Sequence, residues 1–357
     1  MKIKNKVVCL FLCAALFLGG VWGTEAKAIE RQGEEIRVAS RFWDLFFGGK
    51  EEKQPEVEEK EEARPMLIPS GNLFGLRLKT DGVIVVSVER AEPGILAEGD
   101  ILLALDGEKL SSAEDLKEKL ADKDEVRLTF LRGEKTEERV HPVTDGTLGI
   151  TVRDSALGIG TVTYIDPATS RFGGLGHGIT DTSSGVLIPI LGGDITDVTL
   201  GGVTRGAEGK PGELCGVLRP SDLGDILTND HCGVFGTVDT PSAGTAIPIA
   251  YRDEIREGEA TMLCTVRQGK TLSYSIKIRD IDRTSQTNKS FLVEVTDPAL
   301  LAITGGIVRG MSGSPIIQNG KLVGAVTHVT VNDPTKGYGI FIENMLNSAN
   351  IPMAKAS

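Results

Sequence analysis

Glycine is the residue that most limits what this chain can fold into. The sequence contains 44 glycines, and 31 of them lie between Gly146 and the C-terminus. Glycine is unfavourable inside helices and is typical of turns, bulges and close approaches of the backbone. Aromatic residues are few in the same region, and apolar residues do not recur there with helical spacing. We therefore predict a turn-rich, all-β body after residue 146.

Length, composition and charge narrow the class of protein. At 357 residues the chain exceeds most single cores, so two domains are expected. Hydrophobic residues make up 40% and charged residues 25%, as in a soluble globular protein. The formal charge of −11 argues against nucleic acid as a partner. Beyond the first apolar run, Cys215, Cys232 and Cys264 have no metal-binding spacing, so neither a disulfide framework nor a metal or cofactor is expected.

The first 28 residues are typical of an export signal. Lys2, Lys4 and Lys6 precede an unbroken apolar run over residues 7–23, and a small-x-small cleavage site follows at residues 26–28. The run is at the lower limit for spanning a bilayer, so a cleaved signal peptide and a membrane anchor both stay open. Residues 29–65 combine an amphipathic stretch with an acidic linker that is exposed to proteases, the chain itself included.

Residues 66–145 are predicted to form a small sheet with one helix. Alternating apolar segments separated by turn residues lie at 73–78, 83–88, 101–105 and 126–131. Before the last of them, Ser111 and Glu114 have the spacing of a capping box. This order resembles the bacterial form of the PDZ domain. The resemblance implies a groove between residues 70–78 and the helix, where a peptide adds as an extra strand. A spacer without a ligand is the alternative.

A serine lies between glycines in the segment Gly310-Met311-Ser312-Gly313-Ser314-Pro315. Neighbours without side chains let the main chain approach a substrate, and backbone N–H groups can point at a developing oxyanion. The segment resembles the nucleophile loop of chymotrypsin-like serine proteases, except that Ser314 replaces a glycine. The resemblance implies a chymotrypsin-like double β-barrel over residues 146–357, with Ser312 as nucleophile and the N–H groups of Gly310 and Ser312 as the oxyanion hole. A turn without chemistry is the alternative.

An activated serine needs a base, and the chain has four histidines. His177 lies in a glycine-rich segment that can present an imidazole from a loop. His231 lies only 81 residues before Ser312, which leaves little sequence between the two for the rest of the barrels. It is therefore the second candidate for the base. His328 ends the strand after the nucleophile loop, where chymotrypsin-like folds line the substrate groove, so it is a candidate for substrate contact. His141 is predicted to be a surface residue.

Three parts of the chain together resemble the stage IV sporulation protein B (SpoIVB) peptidase family of endospore-forming bacteria. They are residues 153–181, residues 296–346 and the preceding PDZ-like unit. The resemblance implies a serine endopeptidase exported across the forespore inner membrane into the intermembrane space. There such an enzyme cleaves its own N-terminal segment and then a membrane-associated regulator of an intramembrane protease, which leads to sigma-factor processing. The resemblance also implies His177, Asp297 and Ser312 as the catalytic triad.

The acidic member of this triad has an unusual position. Asp297 lies only 15 residues before Ser312, whereas trypsin-like enzymes place the acid much further upstream. Asp181 is a substitute, and a carboxylate that caps a turn before Pro298 is the alternative role for Asp297.

Two other functions stay open from the residues alone. The first is a non-catalytic signalling scaffold that works through the PDZ-like groove. The second is a cysteine hydrolase built on Cys232 beside His231. It is disfavoured because adjacent residues of a strand point to opposite faces.

Overall fold

The structure of the protein is a computed structural model that describes residues 64–90, 94–240, 244–267 and 269–350. The predicted export segment and nearly all of the predicted linker lie outside the described residues. Among the described helices, none is long and apolar enough to cross a membrane.

Strands dominate the described fold. They are β1 (Met66–Pro69), β2 (Leu73–Val88), β3 (Ile101–Leu105), β4 (Glu108–Lys109), β5 (Glu125–Arg132), β6 (Lys135–Pro142), β7 (Ile150–Ile165), β8 (Arg171–Gly174), β9 (Ile190–Thr196), β10 (Val198–Thr204), β11 (Glu213–Leu218), β12 (Gly224–Asp230), β13 (Gly233–Val238), β14 (Ile247–Pro248), β15 (Gly258–Arg267), β16 (Lys270–Arg279), β17 (Phe291–Val295), β18 (Pro315–Gln318), β19 (Lys321–Thr330) and β20 (Asp333–Phe341). Three short helices accompany them: α1 (Ala113–Leu120), α2 (Pro298–Thr304) and α3 (Ile342–Ser348).

Six antiparallel strands close a first barrel. Pairing runs from β7 through β8, β13, β12, β9 and β2 and returns from β2 to β7. The interior is filled by apolar side chains that alternate with outward-facing ones along each strand. The buried members include Phe74, Leu76, Val162, Phe172 and Ile226.

A second closed barrel follows in the sequence. Its strands are paired in the order β15, β16, β17, β20, β19, β18. Its buried core includes Met262, Ile276, Phe291, Val326 and Phe341. The mainly β class predicted from the glycine-rich sequence and the two barrels that the resemblance implies are confirmed.

The third part is the PDZ-like unit. It consists of the second half of β2, strands β3 to β6 and α1, around a core that includes Val83, Leu102, Leu116, Leu120 and Phe130. The predicted helix is present, but its N-cap is Ser112 rather than Ser111. The Ser112 side chain accepts a hydrogen bond from the Asp115 N–H at 3.0 Å. Ser111 instead donates its N–H to the Asp115 carboxylate at 2.8 Å.

Strand β2 differs from the sequence-based prediction. Residues 73–78 and 83–88 are predicted as two strands separated by a turn at Asp81-Gly82, but the structure joins them in one strand. Gly82 has φ +100°, and a Cβ there would lie 2.4 Å from the carbonyl oxygen of Leu102. The glycine therefore permits a close approach of β3 instead of a reversal of the chain.

This continuity places residues 73–80 in the first barrel. They pair with β7 on one side and with β9 on the other. Because both edges are occupied, a peptide cannot add to this segment as an extra strand, contrary to the predicted groove. Strand β7 takes a bridging position, since its first residues pair with the part of β2 that belongs to the PDZ-like unit.

Candidate active site

The nucleophile loop connects α2 to β18. Gly310 and Gly313 both adopt left-handed backbone conformations, with φ +93° and +96°. A Cβ on Gly313 would lie 1.9 Å from the carbonyl oxygen of Thr161, so only glycine fits there. The glycines on either side of Ser312 are therefore required by their backbone conformation and, at Gly313, by the close approach of β7.

Strand β7 of the first barrel holds this loop of the second. The Thr161 hydroxyl donates to the Gly310 carbonyl at 2.8 Å, and the Thr161 N–H donates to the Ser312 carbonyl at 3.0 Å. The Thr163 hydroxyl donates to the Gly313 carbonyl at 2.8 Å. Sequence reasoning missed both threonines, because nothing in a strand segment identifies a partner about 150 residues away.

Two backbone N–H groups of the loop are available to a ligand. Within the described ranges, the N–H groups of Gly310 and Ser312 donate to no protein acceptor, whereas those of Met311, Gly313 and Ser314 do. Gly310 and Ser312 also line the same cleft. This arrangement suits the oxyanion hole that the resemblance implies, and that role stays a prediction.

His177 lies on the loop between β8 and β9, immediately after two left-handed residues, Leu175 and Gly176. Its Nδ1 is 2.8 Å from the carbonyl oxygen of Gly178. A carbonyl only accepts, so Nδ1 carries the hydrogen and Nε2 carries the lone pair, as a general base requires. Burial lowers the pKa of His177, with a smaller opposing effect of the Gly178 hydrogen bond, which keeps the imidazole neutral near pH 7.

Ser312 and His177 line one cleft without a hydrogen bond between them. The Ser312 hydroxyl instead donates to the carbonyl oxygen of Thr327 at 2.6 Å. Rotation about the Cα–Cβ bond of Ser312 is the movement that would release this bond and turn Oγ elsewhere in the cleft. In the structure the Ser312 hydroxyl is therefore engaged by the backbone and not by His177.

His328 packs directly on His177. The ring centroids are 4.7 Å apart with an interplanar angle of 35°, and Nδ1 of His328 is buried without a hydrogen-bond partner among the described residues. Burial, followed by the charges of His177 and Lys289, lowers the pKa of His328 to about 4. His328 lines the cleft, as a substrate-contact residue should, and that contact stays a prediction.

The Asp297 carboxylate caps helix α2 in the structure. It accepts hydrogen bonds from the N–H groups of Ala299 at 2.9 Å and Leu300 at 3.1 Å, and from the Ser275 N–H at 3.2 Å. It does not line the cleft and makes no hydrogen bond with His177. The geometry corresponds to the capping alternative, and a role as triad acid stays a prediction.

Asp181 stabilises the loop that carries His177. Its carboxylate accepts hydrogen bonds from Ser183 and Ser184 and forms an ion pair with Arg153 at 2.8 Å. Burial raises the pKa of Asp181, but the serine hydrogen bonds outweigh burial and the net shift is downward. Asp181 also makes no hydrogen bond with His177.

The remaining histidines and Cys232 have separate positions. His231 lines the cleft with Ser312, while its carbonyl oxygen accepts from the Asn288 side chain at 3.0 Å. His141 is buried in the PDZ-like unit, contrary to the prediction of a surface residue.

Burial raises the pKa of the Cys232 thiol, which disfavours the thiolate of a cysteine hydrolase. Within the described ranges, no three metal-ligating side chains form a group that could hold a metal ion.

The cleft has a volume of about 620 Å³ and combines apolar and polar walls. It is lined by Leu76, Ala156, Leu157, Gly158, Ile159, Leu175, His177, Gly178, Ile179, Thr180, Thr182, Leu187, His231, Asn288, Arg309, Gly310, Ser312 and His328.

Comparison with known families decides the chemistry. The sequence profile of the SpoIVB peptidase S55 family matches residues 144–346, which is more than half of the chain. The chain belongs to this family. It is a serine peptidase, so the non-catalytic scaffold and the cysteine hydrolase are set aside. The profile of the PDZ domain matches residues 72–139. No curated protein matches the chain.

Several solved structures are similar to parts of this peptidase. The PDZ domain of the SdrC-like protein Lmo2051 from Listeria monocytogenes is 30% identical, covering 20% of this chain and 87% of that chain, with a TM-score of 0.19. The Rv3671c protease from M. tuberculosis in its active form is 14% identical, covering 57% of this chain and 76% of that chain, with a TM-score of 0.31. The inactive form of the Rv3671c protease is also 14% identical, covering 56% of this chain and 85% of that chain, with a TM-score of 0.30.

Proposed function

We propose that the peptidase is an endopeptidase in which Ser312 is the nucleophile and His177 the general base. The observation that supports this most is the single cleft that contains the Ser312 side chain, the His177 imidazole and two uncommitted backbone N–H groups. Nucleophile, base and oxyanion donors are the groups that acyl transfer needs in one place.

The proposed reaction begins with rotation of the Ser312 hydroxyl from the Thr327 carbonyl towards Nε2 of His177. Oγ attacks the scissile carbonyl carbon while Nε2 accepts the hydroxyl proton. The negative oxygen of the tetrahedral intermediate accepts hydrogen bonds from the N–H groups of Gly310 and Ser312. The imidazolium gives its proton to the departing amine, and water, deprotonated by His177, then hydrolyses the acyl-enzyme in the same way.

The ring of His177 is oriented by the Gly178 carbonyl in this arrangement. Asp297, which family resemblance assigns as the acid, is held by backbone N–H groups at the end of α2 and makes no hydrogen bond with the imidazole. Its catalytic role is part of the proposal, and substitution of Asp297 tests it.

We further propose the cellular setting that the family resemblance implies. The chain is exported across the forespore inner membrane, attached to it by the N-terminal segment until processed, and cleaves first itself and then a membrane-associated regulator in sporulation signalling. The basic residues before the apolar run at residues 7–23 support export, and the acidic tether supports accessibility to cleavage.

N-terminal sequencing of full chains produced in a sporulating host tests both proposals. The wild type should yield shortened species that start within or after the tether, and Ser312→Ala should remain at the signal-processed or unprocessed length. Identical shortening of both chains would disprove the serine mechanism. Retention of both chains in the cytoplasm would disprove export.

For the peptide partner we propose docking along the first half of β7. Residues 150–157 pair only with β2 among the described strands, and Asp154 accepts a hydrogen bond from the Ala113 N–H of α1 at 3.0 Å. An unpaired strand edge beside a helix is the arrangement that binds an extended peptide. The chain's own tether is the peptide we expect there.

Hydrogen exchange on a Ser312→Ala chain of residues 64–357, which lacks the tether and so leaves the edge of β7 open, tests this docking with a synthetic peptide of residues 51–63. We expect protection of amides in residues 150–157 and unchanged exchange in residues 73–80, which are already paired. Protection confined to other segments, or none at saturating peptide, would refute it.

A further inference from the structure

The cleft around Ser312 contains one arginine and no carboxylate. Its lining includes Arg309 and three histidines, and none of the described lining residues is Asp or Glu. The chain as a whole has 50 acidic residues and 39 basic ones. The surface that receives the substrate therefore departs from the acidic character of the rest of the molecule.

The two stacked histidines of the cleft, His177 and His328, add no charge at neutral pH. Burial lowers the pKa of His177, and burial lowers the pKa of His328 to about 4. Arg309 stays charged across the physiological range. Lys289, whose charge acts on His328, adds to the positive potential from outside the cleft lining. Among the described residues that line the cleft, Arg309 is therefore the side chain that offers a fixed positive charge to an anionic group.

Arg309 is fixed through its backbone, while its side chain is exposed. Its N–H donates to the Gly212 carbonyl at 2.9 Å, and its carbonyl accepts from the Leu214 N–H at 2.9 Å. These bonds place it next to Glu213 in an isolated bridge, yet no ion pair joins its guanidinium to Glu213 or to any other described carboxylate. The guanidinium is available to a substrate.

Two carboxylates in segments beside the cleft are engaged elsewhere. Asp181, on the loop of His177, pairs with Arg153. Asp230, which precedes His231, accepts hydrogen bonds from the Ser348 hydroxyl and the Cys232 N–H. Neither competes for Arg309 in this arrangement.

We propose that Arg309 selects substrates with an aspartate or glutamate close to the scissile bond. This inference rests on the proposed function of Ser312. Arg309 directly precedes Gly310, whose N–H faces the oxyanion in that mechanism, so a side chain bound by Arg309 belongs to a residue within about two positions of the bond that is cut. A guanidinium binds a carboxylate through two parallel hydrogen bonds, which favours acidic residues over amides of the same shape.

The chain itself contains a segment of this chemistry. Residues 51–62 include seven glutamates. An acidic preference at Arg309 would direct the peptidase to its own tether, before any other protein is encountered.

Peptide mixtures of varied sequence, digested by the full chain and read by mass spectrometry, give the first test. Wild-type cuts should be enriched in Asp or Glu within two positions, and the enrichment should disappear in Arg309→Gln. A pair of peptides built on one observed cut, differing only by Glu or Gln at the enriched position, then gives rates. We expect the Glu-to-Gln ratio of kcat/KM to fall about three- to tenfold in Arg309→Gln, to fall less in Arg309→Lys, which keeps the charge but not the paired donors, and to invert in Arg309→Glu.

Arg267→Gln is the matched control, because Arg267 is an exposed arginine at the end of β15, outside the cleft. Its Glu-to-Gln ratio should equal that of the wild type. Equal ratios for wild type and Arg309→Gln, with active enzyme in both, would overturn the inference about Arg309 alone. Equal cutting by wild type and Ser312→Ala would overturn the proposed function on which it rests.

Discussion

Asp297 shows how one side chain can satisfy two expectations from sequence. As the residue before Pro298 it suits a helix cap, and as part of a family motif it suits a triad acid. The structure uses both carboxylate oxygens on backbone N–H groups. The sequence contained the capping signal, but it could not exclude the catalytic role, because spacing alone does not give the distance to His177.

Substitution of Asp297 separates these roles. Asparagine caps helices about as well as aspartate, so Asp297→Asn keeps the acceptor for Ala299 and Leu300 but loses the one for the Ser275 N–H. Asp297→Asn should therefore lose less of the free energy of unfolding than Asp297→Ala, which should lose about 1 kcal/mol through the cap alone. Denaturant titration measures both. If the folded asparagine variant keeps wild-type activity, Asp297 acts only as a helix cap. If its activity falls by several orders of magnitude, Asp297 is the acid of the triad. Equal stability of the alanine variant would contradict the cap.

The partly buried imidazole of His177 predicts how activity depends on pH. Because burial lowers its pKa below the usual value of 6.5, the neutral, active form should persist as the pH falls below that value. Activity should then decline as the pH passes the lowered pKa. A profile of kcat/KM against pH should thus place the acid limb below pH 6.5. An acid limb at or above pH 7 would contradict the assignment of His177 as a buried base.

At the scale of elements, alternation of apolar residues identified strand segments of the PDZ-like unit but not their partners. The segments at 101–105 and 126–131 appear as β3 and β5, and the helix appears as α1. The turn predicted at Asp81-Gly82 does not form, because glycine serves a close backbone approach equally well. Register between distant strands depends on tertiary packing, so the joining of two predicted strands into β2 was not accessible from local pattern.

The hydrogen bonds from β7 to the loop of Ser312 predict that Thr161 positions this loop for catalysis. Thr161→Val removes the hydroxyl that holds the Gly310 carbonyl and keeps the shape of the side chain. We expect kcat to fall about ten- to hundredfold with little change in KM, since the loop that carries the Gly310 and Ser312 N–H groups loses one of its hydrogen bonds to β7. Thr228→Val, at an exposed threonine on β12 of the same barrel, is the control. Unchanged kcat for Thr161→Val would mean that the remaining contacts suffice.

At the scale of the whole molecule, the PDZ-like unit and the first barrel share strands. β2 and β7 each contribute residues to both parts. The sequence suggested consecutive modules, because composition and motif order change near residue 145. A strand shared by two domains cannot be recognised from the apolar pattern of the sequence, since each half of the strand has the pattern of a separate strand.

Truncation reveals the consequence for folding. A chain of residues 146–357 lacks β1 and β2 and therefore one wall of the first barrel, so it should not fold. A chain of residues 64–357 keeps every described strand and should fold. Near-ultraviolet circular dichroism and a cooperative thermal transition distinguish the two. A cooperative transition in the shorter chain would show that the barrel closes without β2.

The strand sharing also bears on how such proteins diversify. Exchange of a peptide-recognition unit by recombination usually requires a domain boundary at which the chain can be divided without disrupting either fold. Here every such boundary near residue 80 or 155 passes through a wall of the catalytic barrel. Recognition and cleavage are consequently inherited as one piece, and new substrates must be acquired by changing surface residues in place.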